Sequence, residues 1–110
     1  STKELYDSVY QEIGIPIVHD QHHHLFCTGN ICQEEAMITA ALTWGDITPV
    51  IHYSESRPEE QNDPKIKPQA HSDYIYKKID TFGLDVDVMV EAKAKERAVQ
   101  RYQKLWCNQQ

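Results

Sequence analysis

The sequence predicts an α/β fold in which three parallel strands alternate with helices behind a leading helix. Short runs rich in Val and Ile alternate along the 110 residues with stretches whose apolar side chains recur at helical spacing. The resulting order, helix–strand–helix–strand–helix–strand–helix, calls for right-handed crossovers and therefore a parallel sheet. A metal-capable side chain follows or ends each strand run, which is the end of a parallel sheet where sites are built.

Residues 3–13 (KELYDSVYQEI) place Leu5, Val9 and Ile13 on one stripe, and Gly14 supplies the stop. The run IPIVH, residues 15–19, reads as a short buried strand. A second helix is expected over 33–44, with Met37, Ala40, Ala41 and Trp44 on its inner side. TPVIHYS, residues 48–54, is the second strand. The stretch 55–70 holds three prolines and many charges and reads as a long loop. Ser72 or Asp73 opens an expected third helix in which Ile75, Ile79 and Phe82 face inward before Gly83. VDVMVE is the third strand, and the last helix is expected from about Ala92 to Trp106.

The length fits one domain spanning 1–110. A 40% hydrophobic and 25% charged composition is ordinary for a globular chain. The net charge of −6 excludes a generic nucleic-acid-coating module, although carboxylates gathered at a divalent metal account for part of such an excess. No apolar run is long enough to span a membrane. Cys27, Cys32 and Cys107 make an odd count, which argues against a disulfide framework and for a reducing compartment, the cytoplasm by default. A zinc site built on Cys27 and Cys32 is the weaker alternative, because their spacing stands alone. The chain begins at Ser1, which suggests processing or excision from something longer.

The tract HDQHHH is internal, so it is no terminal tag. Asp20, followed by His22, His23 and His24, ends the first strand, His52 ends the second, and Glu91 ends the third. Taken singly, a strand-end histidine is usually a hydrogen-bonded structural residue, and Asp20 or Glu91 a helix cap. Three strands delivering Asp, His and Glu to one rim favour a site for Mn²⁺, Zn²⁺ or Fe²⁺. Strand parity supplies a test: His52 shares a face with Val50, and Glu91 with Met89 and Asp87. Lys93, Arg97, Arg101 and Lys104 recur at helical spacing and read as a solvated outer face, with Lys93, two residues beyond Glu91, held back as the exception.

GIPIVHDQHHH, PVIHYSES, HSDYI and DVDVMVEAKAKE together resemble the UV damage endonuclease family, over about residues 10–100. The resemblance implies a partial TIM barrel, manganese-type divalent metals, and a parent enzyme that cuts damaged DNA 5′ to UV photoproducts. It also implies a metal-ligand set of Asp20, His23, His52, His71 and Glu91, with His23 favoured over its neighbours by the Asp-x-x-His spacing. Clustered metals of this kind activate water and neutralise charge on an attacked phosphate. Two departures accompany it. Val50 stands where the family usually has a lysine, and the early barrel strands, with further ligands and the residues that probe the duplex, are missing.

The chain alone is therefore expected to be inactive, and Ile17, Val18, Val50, Ile51, Val88 and Met89 to be partly exposed on an uncovered sheet, favouring a homo-oligomer. The competing readings are a non-catalytic metal-binding or structural half-barrel that self-associates, and a sugar isomerase-like barrel fragment.

Overall fold

A computed structural model describes residues 1–107 and shows an α/β chain with a parallel three-stranded sheet. Two compact units are distinguished, one formed by Ser1–His52 with Asp80–Met89, the other by Tyr53–Ile79 with the chain from Val90 onward. The strands are β1 (His19–Asp20), β2 (Val50–Tyr53) and β3 (Asp87–Val90), in spatial order β1-β2-β3. Parallel pairing sets His19 opposite Ile51 and Asp20 opposite His52. Asp87 N–H donates to Pro49 O at 2.8 Å and Glu91 N–H to Tyr53 O at 2.9 Å, so β3 runs in the same direction as β2.

In the first unit the leading segment is helical from Thr2 to Ile13, as α1 (Thr2–Glu4), a π-helical stretch (Leu5–Tyr10) and α2 (Gln11–Ile13). Ser1 and Glu4 form a capping box, and Gly14, at φ 70°, provides the left-handed stop. The expected stripe is not its buried side: Leu5 and Ile13 are exposed. Thr2 is buried instead, with its hydroxyl 2.8 Å from His19 Nδ1, so a polar contact orients this helix.

The first strand is shorter than the apolar run 15–19 suggests. Ile17 N–H donates to Thr43 Oγ1 and Ile17 O accepts from Trp44 Nε1, both at 2.8 Å. Side chains just beyond α4 (Gln33–Leu42) thus take backbone groups that a longer ladder would use. Helix α4 forms as its pattern predicts, and Ala36, Met37 and Ala40 are buried along with Ile17 and Ile51. Between β1 and α4, α3 (Gln21–His24) carries the histidine tract.

In the second unit, α5 (Arg57–Gln61) rises inside the stretch expected to be loop, with Ser56 as N-cap residue and a proline in its first turn. The third helix expected from residue 72 to Gly83 does not form, and 71–86 is irregular. Its amides have other partners. Asp73 and Tyr74 N–H groups donate to Glu60, and those of Tyr76 and Lys77 to Glu55. The last helix also starts later than expected, as α6 (Glu96–Tyr102) followed by a π-helical stretch (Gln103–Cys107). Lys93 N–H and Ala94 N–H donate to Ser72 O and Asp73 O, which commits residues 92–95 to a turn.

Exposure on the sheet follows the expectation in part. Val18 is 40% and Met89 55% exposed, whereas Ile17 and Ile51, expected to be exposed, are at 5% and 1%. Both are buried, as are Ala36, Met37 and Ala40 of α4, and Ile51 lies on the face of β2 opposite to His52. Among the described residues no helix is long and apolar enough to cross a membrane.

Candidate metal centre

Asp20 sits at the last position of β1 and begins α3 as its N-cap: Oδ1 accepts the His23 N–H at 2.9 Å. The structural reading of Asp20 as a cap is therefore true, and it leaves the second carboxylate oxygen available for other work. Register places His52 beside Asp20 on the same face of the sheet. Glu91 follows β3 directly, held by its N–H bond to Tyr53 O.

One donor atom each from Asp20, His52 and Glu91 lie within 4.8 Å of one another, all three residues being half-buried. Two ligands on one ion at bond lengths of about 2.0–2.2 Å lie no more than about 4.4 Å apart. The three donors are thus spaced for a divalent cation after small side-chain adjustments. Two carboxylates and an imidazole also match the oxygen and nitrogen preferences of such ions.

The histidine tract divides by burial. His22 is buried edge-on against Phe26, with ring centroids 5.2 Å apart. His24 is buried too, with Nε2 2.9 Å from Ile31 O and its ring 5.3 Å from that of His19. His23 is exposed and lines, with Asp20 and His24, a cavity of about 70 Å³. It is not one of the three converging residues. His19 is fully buried between Thr2 and the Gln33 side-chain oxygen; burial holds its imidazole below the ordinary histidine range, against the opposing pull of the Gln33 bond. Gln33 also donates to Gln21 O at 3.1 Å, tying α4 to the start of the histidine helix.

His71 is half-buried and also lies outside the converging three. It pairs antiparallel with Ser56, flanked by Arg57 N–H to Ala70 O and Ser72 N–H to Glu55 O, each 2.8 Å. Past it, Glu60 Oε1 accepts from Asp73 N–H at 2.8 Å, and Oε2 from Tyr74 N–H at 3.0 Å and Tyr76 hydroxyl at 2.7 Å. Burial pushes the Glu60 carboxyl up, but the bonds from Asp73, Tyr76, Gln61 and Tyr74 outweigh it and bring it down to about 2.

A family model described as UV-endonuclease UvdE matches residues 1–108. The chain belongs to this family. Among its relatives, the UV-damage endonuclease of Schizosaccharomyces pombe (strain 972 / ATCC 24843) is 36% identical over 100 residues, 81% of this chain and 16% of that protein. The UV DNA damage endonuclease of Bacillus cereus (strain B4264) is 31% identical over 105 residues, 84% of this chain and 30% of that one. The crystal structure of SacUVDE superposes with a TM-score of 0.75 at 27% identity, covering 94% of this chain and 35% of that chain. This UvdE-family chain thus spans a third or less of the curated relatives it matches, and its fold is a partial TIM barrel of three parallel βα units behind a leading helix.

Sequence reasoning overlooked Glu55 and Glu60. No local pattern marks them, because they act on amides 13 to 22 residues further along the chain.

Proposed function

We propose that residues 1–110 form the carboxy-terminal half-barrel of a metal-dependent DNA repair endonuclease that nicks damaged DNA 5′ to UV photoproducts. The convergence of Asp20, His52 and Glu91 carries the reading. His23 and His71 complete this chain's share of the ligands: His23 is the exposed ring beside Asp20, and His71 is held in a bridge beyond β2. Manganese is the ion we favour for this mixed oxygen and nitrogen set. A divalent ion held there would stabilise negative charge developing on an attacked phosphate. The chain's own residues orient the donors. Asp20 keeps one oxygen on the His23 amide, and the ladder bond of Glu91 fixes where its side chain starts. Imidazoles and carboxylates bind metal only when deprotonated, so affinity should weaken in acid. Damaged DNA is the substrate partner, and the odd count of cysteines suits a cytoplasmic, reducing setting.

In the full-length protein, Mn²⁺ titration and incision of UV-irradiated duplex DNA test this together. Glu91→Ala and His52→Ala should each weaken Mn²⁺ binding by at least about 10-fold and abolish incision. Unchanged Mn²⁺ affinity in both variants would overturn the reading. The 110-residue chain alone should bind Mn²⁺ weakly and leave DNA intact. A second reading, a non-catalytic half-barrel that self-associates, is favoured by the exposure of Val18 and Met89. It expects a dimer or larger species of the isolated chain in sedimentation, and a monodisperse monomer at micromolar concentration would remove it.

A further inference from the structure

We propose that Glu60 is a positioning residue for the metal centre: its carboxylate holds the backbone just beyond His71 and so sets where that imidazole lies. This rests on the proposed reading of His71 as a ligand.

The segment 71–77 has neither a helix nor an extended ladder of its own, so its backbone amides need outside acceptors. Ser72 N–H goes to Glu55 O. The next two amides, of Asp73 and Tyr74, both go to the Glu60 carboxylate, one to each oxygen. The Tyr76 hydroxyl and Gln61 side-chain amide occupy the same carboxylate, at 2.7 and 2.8 Å. Four donors thus converge on one side chain, close to the lone-pair capacity of a carboxylate. Glu55 repeats the device one step on, accepting from the Tyr76 and Lys77 amides at 3.1 and 3.2 Å.

The ring partners are fixed as well. The Arg101 guanidinium lies 5.0 Å over each of the Tyr74 and Tyr76 rings, and Arg57 pairs with Asp73 at 2.6 Å. Ser72, fully buried, accepts the Lys93 amide, and Asp73 O accepts that of Ala94, two and three residues past Glu91. The segment that carries His71 is therefore tied to the chain following β2 and to the chain following β3. Losing Glu60 removes the ties at Asp73 and Tyr74 amides while the Ser56–His71 bridge and Ser72 bonds persist. The consequence is a loosened backbone at Asp73 and Tyr74 that lets the His71 imidazole reorient on a segment that stays attached. With its carboxyl held at about 2, Glu60 remains an acceptor at every pH where an imidazole can bind metal.

A purely structural role for Glu60 would lower stability without acting through His71, and a double-mutant cycle on Mn²⁺ affinity separates the two. The probe is Mn²⁺ alone, titrated into the full-length protein carrying Glu60→Gln, His71→Ala or both, with thermal unfolding followed in parallel. Glu60→Gln sets an amide NH₂ against backbone donors and should raise the Mn²⁺ Kd roughly 10-fold. In the His71→Ala background the same change should add less than about twofold. Tyr76→Phe, which removes one donor and leaves the carboxylate, should act in the same direction and more weakly, and serves as the readout should Glu60→Gln not fold. An equal loss with and without His71, or no loss, overturns the positioning role. His71→Ala leaving the Kd unchanged overturns the ligand reading itself, a distinguishable failure.

Discussion

The two units of this chain are held by different forces. Of the seven buried apolar residues among those described, five (Ile17, Ala36, Met37, Ala40 and Ile51) belong to the first unit, and two, Ile75 and Ala98, to the second. The second unit makes up the difference with charge-assisted bonds: two glutamates gripping a loop, an Arg57–Asp73 pair, and Arg101 over two tyrosines. Apolar packing tolerates changes of pH and salt, whereas carboxylate-to-amide bonds depend on the carboxylate staying ionised. Removal of one methionine should therefore injure the first unit most, and acid should injure the second.

The largest effect expected is for Met37→Ala. Met37 is fully buried on the inner side of α4, and a Met-to-Ala change in such a core costs about 2–5 kcal/mol through lost transfer energy and the cavity left behind. Urea unfolding followed at pH 7 checks this. A cost below about 1 kcal/mol would show that the first unit does not depend on its apolar face, and the contrast between the units would fail.

Acid provides the next test. The Glu60 carboxyl sits at about 2 in the folded chain, below its ordinary value of 4.5, so its contribution is fully present above about pH 4.5 and is lost as pH falls toward 2. Hydrogen exchange at the Asp73 and Tyr74 amides should accelerate across that window beyond the intrinsic pH dependence of exchange. In Glu60→Gln the same amides should show no such added acid dependence. Protection that is flat in both forms between pH 5 and 2 would mean that the carboxylate does not hold the loop.

The same division explains what the sequence made legible. Helix α4 and the β2 and β3 strands were readable because apolar side chains recur at 3.6 or 2 residues wherever one face is buried. The closeness of Asp20, His52 and Glu91 was readable because parallel strands that end at one rim bring their last side chains together. The irregular stretch from His71 to Phe82 was not. Ile75, Ile79 and Phe82 do mimic a helical stripe, and Ile75 is indeed fully buried, but the amides a helix needs are bonded to Glu55 and Glu60. A bond from residue 60 to residue 73 leaves no trace in any local window. The leading helix failed differently: its periodicity was right for a helix, but burial went to Thr2, which meets His19, and not to Leu5 or Ile13.

The smallest effect sharpens the comparison by separating charges that hold the loop from charges that merely adjoin it. Lys77 Nζ lies 3.4 Å from Glu59 Oε1, with the two side chains 68% and 70% exposed. Both are solvated and free to move, and salt screens them, so the pair should contribute no more than about 0.5 kcal/mol in a double-mutant cycle of Lys77→Ala and Glu59→Ala. Glu59 is the immediate neighbour of Glu60 on α5, yet it accepts no loop amide among the described residues. If the difference between the units lies in carboxylates that accept backbone amides, the coupling should vanish in about 0.5 M salt while Asp73 and Tyr74 keep their exchange protection. Loss of both together at high salt would make the loop's support a general charge effect, and Glu60 no different from its neighbour.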